Sequence, residues 1–306
     1  MTSDPKLLII AGCTGSGKTG AAVQIAKRLD GELVGADSVQ VYRGFDIGSA
    51  KPTEEELEGV PHHLLDIVDP DENIDAMDFA GRADAVIDDI TARGRLPILV
   101  GGTGLWIRAL VRGLVDLPPV DPELRARLLE EGERDGREAL HQRLQTCDPL
   151  SAEKIHPRDL VRVSRALEVF EQTGKPLGEL RAAHALGSDR YDNLFAVIAR
   201  EADHDERLDA RRAQMLSAGW RAETEGLLAK WPRSARPFGS VGYAQMVRFI
   251  DGELSEDEMQ AAARKATRVY GRRQRTWFGS EPGVDWRPTR GELVNDSGFA
   301  RIEAWR

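Results

Sequence analysis

Residues 7–20 read LLIIAGCTGSGKTG. An apolar run over 7–11 breaks into a glycine-rich loop that closes on Lys18-Thr19. A continuous apolar run of this length marks a strand buried on both faces, as in a parallel sheet. Gly12 to Thr19 fits the pattern G-x-x-x-x-G-K-[ST], whose backbone N–H groups curl round a phosphate at the positive end of the following helix. Gly12, Cys13, Thr14, Gly15, Ser16, Gly17, Lys18 and Thr19 are therefore candidate phosphate-binding residues. Lys18 supplies a point charge, and the Thr19 hydroxyl is placed for Mg2+. A chance match in a glycine-rich loop is the plain alternative, and a strand before and a helix after weigh against it. The motif names a phosphate, not a reaction.

Outward from the loop the pattern alternates. Residues 18–29 carry Ala21, Ala22, Ile25, Ala26 and Leu29 at helical spacing, and Gly31 stops them. Strands are expected at 32–36, ending at Asp37-Ser38, at 64–68, and at 96–100, which runs into Gly101-Gly102-Thr103-Gly104. A helix over 78–93 is closed by Gly94. This order predicts an α/β fold with a doubly wound parallel sheet. From Asp121 to about Leu186 the chain reads as helical and highly charged, with Leu160, Val163, Leu167 and Phe170 on one apolar face. Residues 193–199, NLFAVIA, return to the sheet, so the helical block is an insertion. Helices are expected at 205–218, 220–230 and 256–278. The predicted organisation is a discontinuous core over 1–116 and 190–280, an all-helical inserted domain over 117–189, and a turn-rich tail over 281–306.

The bulk numbers set limits. The 306 residues suffice for one large domain or two ordinary ones, and 41% hydrophobic residues can build a core. No apolar run approaches the roughly 20 residues that cross a membrane, and no secretory leader is recognisable at the N-terminus. A soluble cytoplasmic protein is expected, and nothing demands an oligomer, so a monomer is expected too. Two cysteines, Cys13 and Cys147, exclude a disulfide framework and a four-cysteine zinc site. Cys13 as a free thiol inside the loop implies a reducing compartment. His62-His63 lacks a third ligand at metal spacing and reads as a strand-edge or loop feature. A net charge of −9 argues against a nucleic-acid partner, but binding needs a local basic surface rather than a basic total.

Local clusters exist. Arg264, Lys265, Arg268, Arg272, Arg273 and Arg275 crowd one helix, with Tyr270, Trp277 and Phe278 between them. Guanidinium groups beside aromatics suit a phosphate backbone and unstacked bases. Arg207, Arg211 and Arg212 form a smaller cluster, from which one residue, taken as Arg211, is expected to face the bound phosphates. Arg158, Arg162 and Arg165 are spaced i, i+4, i+7, the usual look of a solvated face. Asp37 ends a strand where α/β sites gather. It can bind Mg2+, act as a general base, or simply cap a turn. Thr103 follows another strand end, where small residues let backbone approach a ligand.

Seven segments together, GCTGSGKT, DSVQVYRGFDIGSAKP, VPHHLLDIVDP, LVGGTGLWIRAL, IHPRDLVRVSRALEVFEQTGKPL, SVGYAQM and ATRVYGRRQRTWF, resemble the tRNA dimethylallyltransferase family in its bacterial form. They run in order from Leu8 to Phe278. Cys13 stands where the family usually has proline, and Val39 where methionine is common. The resemblance implies a P-loop core with an inserted helical tRNA-binding domain. It implies a loop that holds the diphosphate of dimethylallyl diphosphate, and transfer of the prenyl group to the exocyclic amine of the adenine 3′ of the anticodon. Asp37 matches the general base and Thr103 a contact to that adenine. Ser38, Val39 and Gln40 fall in a tRNA-contacting segment, as do Arg158, Asp159, Leu160, Val161 and Arg162, Val241, Gly242 and Tyr243, and Arg272, Arg273 and Gln274. Arg125 matches an additional contact. A small-molecule or nucleoside kinase would also use such a loop and aspartate, but has no need of the basic-aromatic helix.

Overall fold

The computed structural model describes residues 5–184, 189–284 and 286–306. Residues 1–4, 185–188 and 285 fall within the domain spans expected above but lie outside the described residues. The chain divides into two compact units, Met1–Val111 with Asp189–Arg306, and Arg112–Ser188.

The first unit is built on five strands: β1 (Lys6–Ala11), β2 (Gly31–Ala36), β3 (His62–His63), β4 (Leu96–Gly101) and β5 (Asp192–Val197). All pair in parallel, in the order β3-β2-β4-β1-β5. Ala11 is level with Gly101 and Val197, and Ala36 is level with Gly101. The segments that follow β1, β2, β4 and β5 therefore leave the sheet along one edge.

Side chains alternate across a strand, so each strand feeds two cores. On one face Leu8, Ile10, Leu33, Ile98, Val100 and Leu194 pack with the apolar stripe of the helix Lys18–Leu29. On the other lie Leu7, Ile9, Val34 and Leu99, all wholly buried. The helix Ala76–Ala92 packs against β2 and β4 and buries Phe79, Ala83, Ile87 and Ile90. It starts where Asp75 and Asp78 cap each other's backbone N–H.

Two expectations shift. The third strand was expected at 64–68 and is instead His62–His63. Leu64 and Asp66 take φ of 64° and 54°, which turns the chain out of a ladder, and Val68 keeps only an isolated bridge to Tyr42. Residues 281–306, set apart as a tail on sequence, carry the helices Arg290–Leu293 and Asp296–Trp305. Leu293, Phe299 and Ile302 sit in the same core as the helix Lys18–Leu29, and Trp286 bridges Ala196.

The second unit carries the helices Pro122–Arg134, Arg137–Cys147, Pro149–Lys154, Leu160–Thr173 and Leu177–His184. Leu128, Leu140, Leu144, Val163 and Leu167 are its core. Glu168 is fully buried there and answered by Arg165 at 2.9 Å, Arg125 at 3.2 Å and the Asp121 N–H at 2.8 Å. Gly174, with φ 69°, ends the long helix. Among the described residues no helix is long and apolar enough to cross a membrane.

Candidate active site

The glycine-rich loop joins β1 to the helix Lys18–Leu29. Gly15 and Gly17 hold φ of 75° and 80°, the left-handed region that glycine enters without penalty. No side chain caps this helix at Gly17, so its first-turn amides remain available to an anion. The Thr14 N–H is not available, because it donates to Gln274 Oε1 at 2.9 Å. Lys18 lies half-buried beside the loop. Burial draws its pKa below the usual lysine value; the Asp37 carboxylate opposes this, and the Arg211 guanidinium reinforces it. Burial lowers Arg211 as well, again against Asp37. Arg207 is paired with Glu201 and Asp203, and Arg212 with Asp209. Of these three arginines only Arg211 has no ion pair among the described residues.

Asp37 lies one residue past β2. Its Oδ1 accepts the N–H groups of Val39 at 2.9 Å and Gln40 at 3.3 Å, so it does cap a turn. Its second oxygen makes no hydrogen bond among the described residues. Thr103 lies two residues past β4. Its N–H donates to Ala36 O at 3.2 Å, and its Oγ1 accepts the Ser38 N–H at 3.1 Å. The two strand ends are thus stitched together beside the loop.

A single side chain joins this pair of strand ends to the loop. Gln274, on the helix Glu256–Gly279, accepts from Thr14 and donates through Nε2 to Gly102 O at 2.9 Å. A Cβ on Gly102 would lie 2.3 Å from that Nε2, so a larger residue here would push the Gln274 amide out of this bond. Tyr270, one turn before Gln274, sets its phenol beside the side chains of Thr103 and Gln274. Burial, and then the charge of Asp37, push its phenol well above the usual value.

The segments read as RNA contacts separate into two kinds. Arg272 and Arg273 are exposed and make no ion pair among the described residues, and Val241 is exposed. Arg158 and Arg162 lie on the surface of the second unit, where Asp159 caps the helix Leu160–Thr173 and Val161 is 68% exposed. Leu160, Tyr243 and Gln274, by contrast, are buried, and packing or internal hydrogen bonds take them off the accessible surface. The Gln40 amide holds Ser49 O and Ala50 O, and Arg125 holds Glu168.

Sequence reasoning read Tyr270 only as an aromatic among basic residues, and it missed Glu223. Tyr270 stands i−4 to Gln274 on a helix, a spacing that puts them on one face. Glu223 carries no motif. Its Oε2 accepts the N–H groups of Asp46 at 3.0 Å and Ile47 at 2.6 Å, and its Oε1 accepts from Gly48 N–H at 3.2 Å and Tyr243 OH at 2.5 Å. One carboxylate thereby holds the segment after Asp37 to the segment around Gly242.

Residues 40–281 match the family model described as IPP transferase. The chain belongs to the IPP transferase family. By that membership it is an enzyme, a transferase. The chain is 49% identical over 274 residues to a tRNA dimethylallyltransferase of Sorangium cellulosum (strain So ce56), covering 89% of this chain and 87% of that one. Its structure resembles the tRNA isopentenylpyrophosphate transferase of Bacillus halodurans, with TM-score 0.70 and 37% identity, across 98% of this chain and 95% of that one. A eukaryotic dimethylallyltransferase acting on tRNA gives TM-score 0.75 at 29% identity, covering 90% of this chain and 70% of the other.

Proposed function

We propose that the chain transfers a dimethylallyl group from dimethylallyl diphosphate to the exocyclic amine of the adenine 3′-adjacent to the anticodon of tRNA. The observation that carries this reading is the convergence on one sheet edge. An uncapped helix start, with Lys18 and Arg211, lies within one charge network with Asp37, and Asp37 is tied through Ser38 to Thr103. The names of the family's relatives supply the two substrates.

An adenine amine is a poor nucleophile because its lone pair is delocalised into the ring. The free oxygen of Asp37 takes its proton as the new C–N bond forms, and the oxygen that holds Val39 and Gln40 keeps the carboxylate aimed. Thr103 orients the base. The departing diphosphate gains charge as the C–O bond breaks, and Lys18, Arg211 and the first-turn amides stabilise it. The donor set fits Mg2+. Among the described residues the Thr19 hydroxyl makes no hydrogen bond, and no group of three His, Cys, Asp or Glu residues stands close enough to hold a metal alone. A hard cation that takes one protein oxygen and draws its other ligands from phosphate and water suits that arrangement. Thr19 would hold it, and it would neutralise charge on the diphosphate. Arg273, and Arg158 of the second unit, are exposed and without an ion pair among the described residues, and are offered to the RNA backbone.

The test is direct. The protein and Mg2+ are incubated with unmodified tRNA and labelled dimethylallyl diphosphate, beside Asp37→Ala. Label on the anticodon-loop adenine, lost in the variant, is the expected result. Transfer of phosphate from ATP to a small acceptor, with no label on tRNA, would replace this reading with a kinase.

A further inference from the structure

A recess of about 150 Å3 lies between the helices His204–Ser217 and Glu256–Gly279, and its His204 touches Cys13 of the glycine-rich loop. We propose that it is a second anion site, shaped for a free phosphate or diphosphate ion and separate from the site formed by the glycine-rich loop.

Its charge is one-sided. Arg200, Arg268, Arg272 and Arg275 line it, against the single carboxylate of Asp205. Asp205 answers Arg200 at 3.0 Å and Arg268 at 3.8 Å. Arg272 and Arg275 make no ion pair among the described residues. Two guanidinium groups held uncompensated around one recess are a fork-shaped receptor for a phosphate oxyanion.

His204 is the second and independent sign. It lines the recess, is 1% exposed, and its Nδ1 has no hydrogen-bond partner. Its Nε2 lies 3.7 Å from Cys13 Sγ. If the thiol donates to Nε2, the neutral ring carries its proton on Nδ1 as an unused donor. Buried polar groups are almost always paired, and an oxyanion in the recess would complete this one.

Size and depth select the occupant. Pockets for drug-sized ligands run from about 300 to 1,000 Å3, so the recess is too small for a nucleoside and suits a compact ion. A buried histidine flanked by Leu208 and Gly271 is within reach of a small ion rather than of a phosphate in an RNA backbone.

Calorimetric titration of the full chain with inorganic diphosphate, and separately with phosphate, decides the matter. Wild type is expected to take up two diphosphate ions per chain. Lys18→Ala should weaken one of them, and Arg275→Gln the other, each by about tenfold or more. Arg272→Gln serves as the second recess variant, and a thermal melt of each confirms folding. A single site in wild type, or two sites undisturbed by both recess variants, overturns the proposal. So does a loss confined to the affinity for an anticodon stem–loop RNA, which would assign these arginines to the RNA backbone.

Discussion

Glu223→Ala removes one carboxylate and strands four donors. The Tyr243 hydroxyl is fully buried, and an unpaired buried hydroxyl costs about 1–3 kcal/mol. The N–H groups of Asp46, Ile47 and Gly48 lie in a partly exposed turn, so water replaces much of what they lose, at about 0.5–1 kcal/mol each. Together these come to about 4 kcal/mol, within a range of about 2.5–6 kcal/mol. For a chain of this size each kcal/mol moves the melting temperature by about 2 °C, so the fall should be roughly 5–12 °C. Glu223→Gln keeps one acceptor oxygen and should fall about half as far. In the prenyl-transfer assay Glu223→Ala should raise KM for tRNA and leave KM for dimethylallyl diphosphate within about twofold, because Lys18 and the loop do not touch this carboxylate. A melting temperature within about 2 °C of wild type would refute the energetic reasoning. A rise in KM for the diphosphate alone would refute the assignment of Glu223 to the Asp46–Tyr243 junction.

Three further outcomes are expected. Asp37→Asn keeps the turn-capping oxygen but cannot take a proton, so kcat for prenyl transfer should drop about 100- to 10,000-fold while the melting temperature holds. Gln274→Ala breaks the bridge between Thr14 and Gly102, and should lower thermal stability by about 2–4 kcal/mol and raise KM for the diphosphate; unchanged stability with weakened RNA binding would mean that the side chain faces RNA instead. Glu32, fully buried in the sheet, is held down to about 2 by the Arg93 guanidinium first, with His63 and Arg95 adding to it. Its folded pKa lies below the unfolded value of 4.5, so its contribution is complete above 4.5 and is lost as pH falls from there towards 2. That contribution is at most about 3 kcal/mol and is reduced by solvent around the part-exposed Arg93 and Arg95, and Glu32→Gln should flatten the dependence of melting temperature on pH across this acid window.

The glycine-rich loop and β1, β2, β4 and β5 were legible because buried parallel strands write long apolar runs with small residues at their ends. The third strand was misplaced because LLDIV has the same composition as a strand. What moves the ladder to His62–His63 is the left-handed backbone at Leu64 and Asp66, which no side-chain pattern announces. The residues after Gly279 were unreadable for a related reason. Leu293, Phe299 and Ile302 find their partners on the helix Lys18–Leu29, hundreds of residues earlier, and no local period encodes that. At the site, Lys18, Asp37, Thr103 and Arg211 could be named from motif and position. Glu223 was not, since a carboxylate that binds backbone N–H groups needs no fixed neighbour in sequence. Burial divided the basic-aromatic helix in a way that composition could not: Arg272 and Arg273 point to water, whereas Gln274 and Phe278 point inward.

β1 is made first and lies between two strands made much later. Its neighbours are β4, which ends at Gly101, and β5, which begins at Asp192. At synthesis rates of about 5–20 residues per second, β1 waits roughly ten seconds or more for its second edge to be paired. Through that interval an apolar strand with open hydrogen-bonding groups is a template for any other extended chain. The backbone bond from Arg190 N–H to Val111 O, at 2.8 Å, closes the ends of the inserted segment and delivers β5 to the sheet as soon as it appears. The same insertion that supplies the second unit thus sets the length of time for which the newborn catalytic sheet stands half-built.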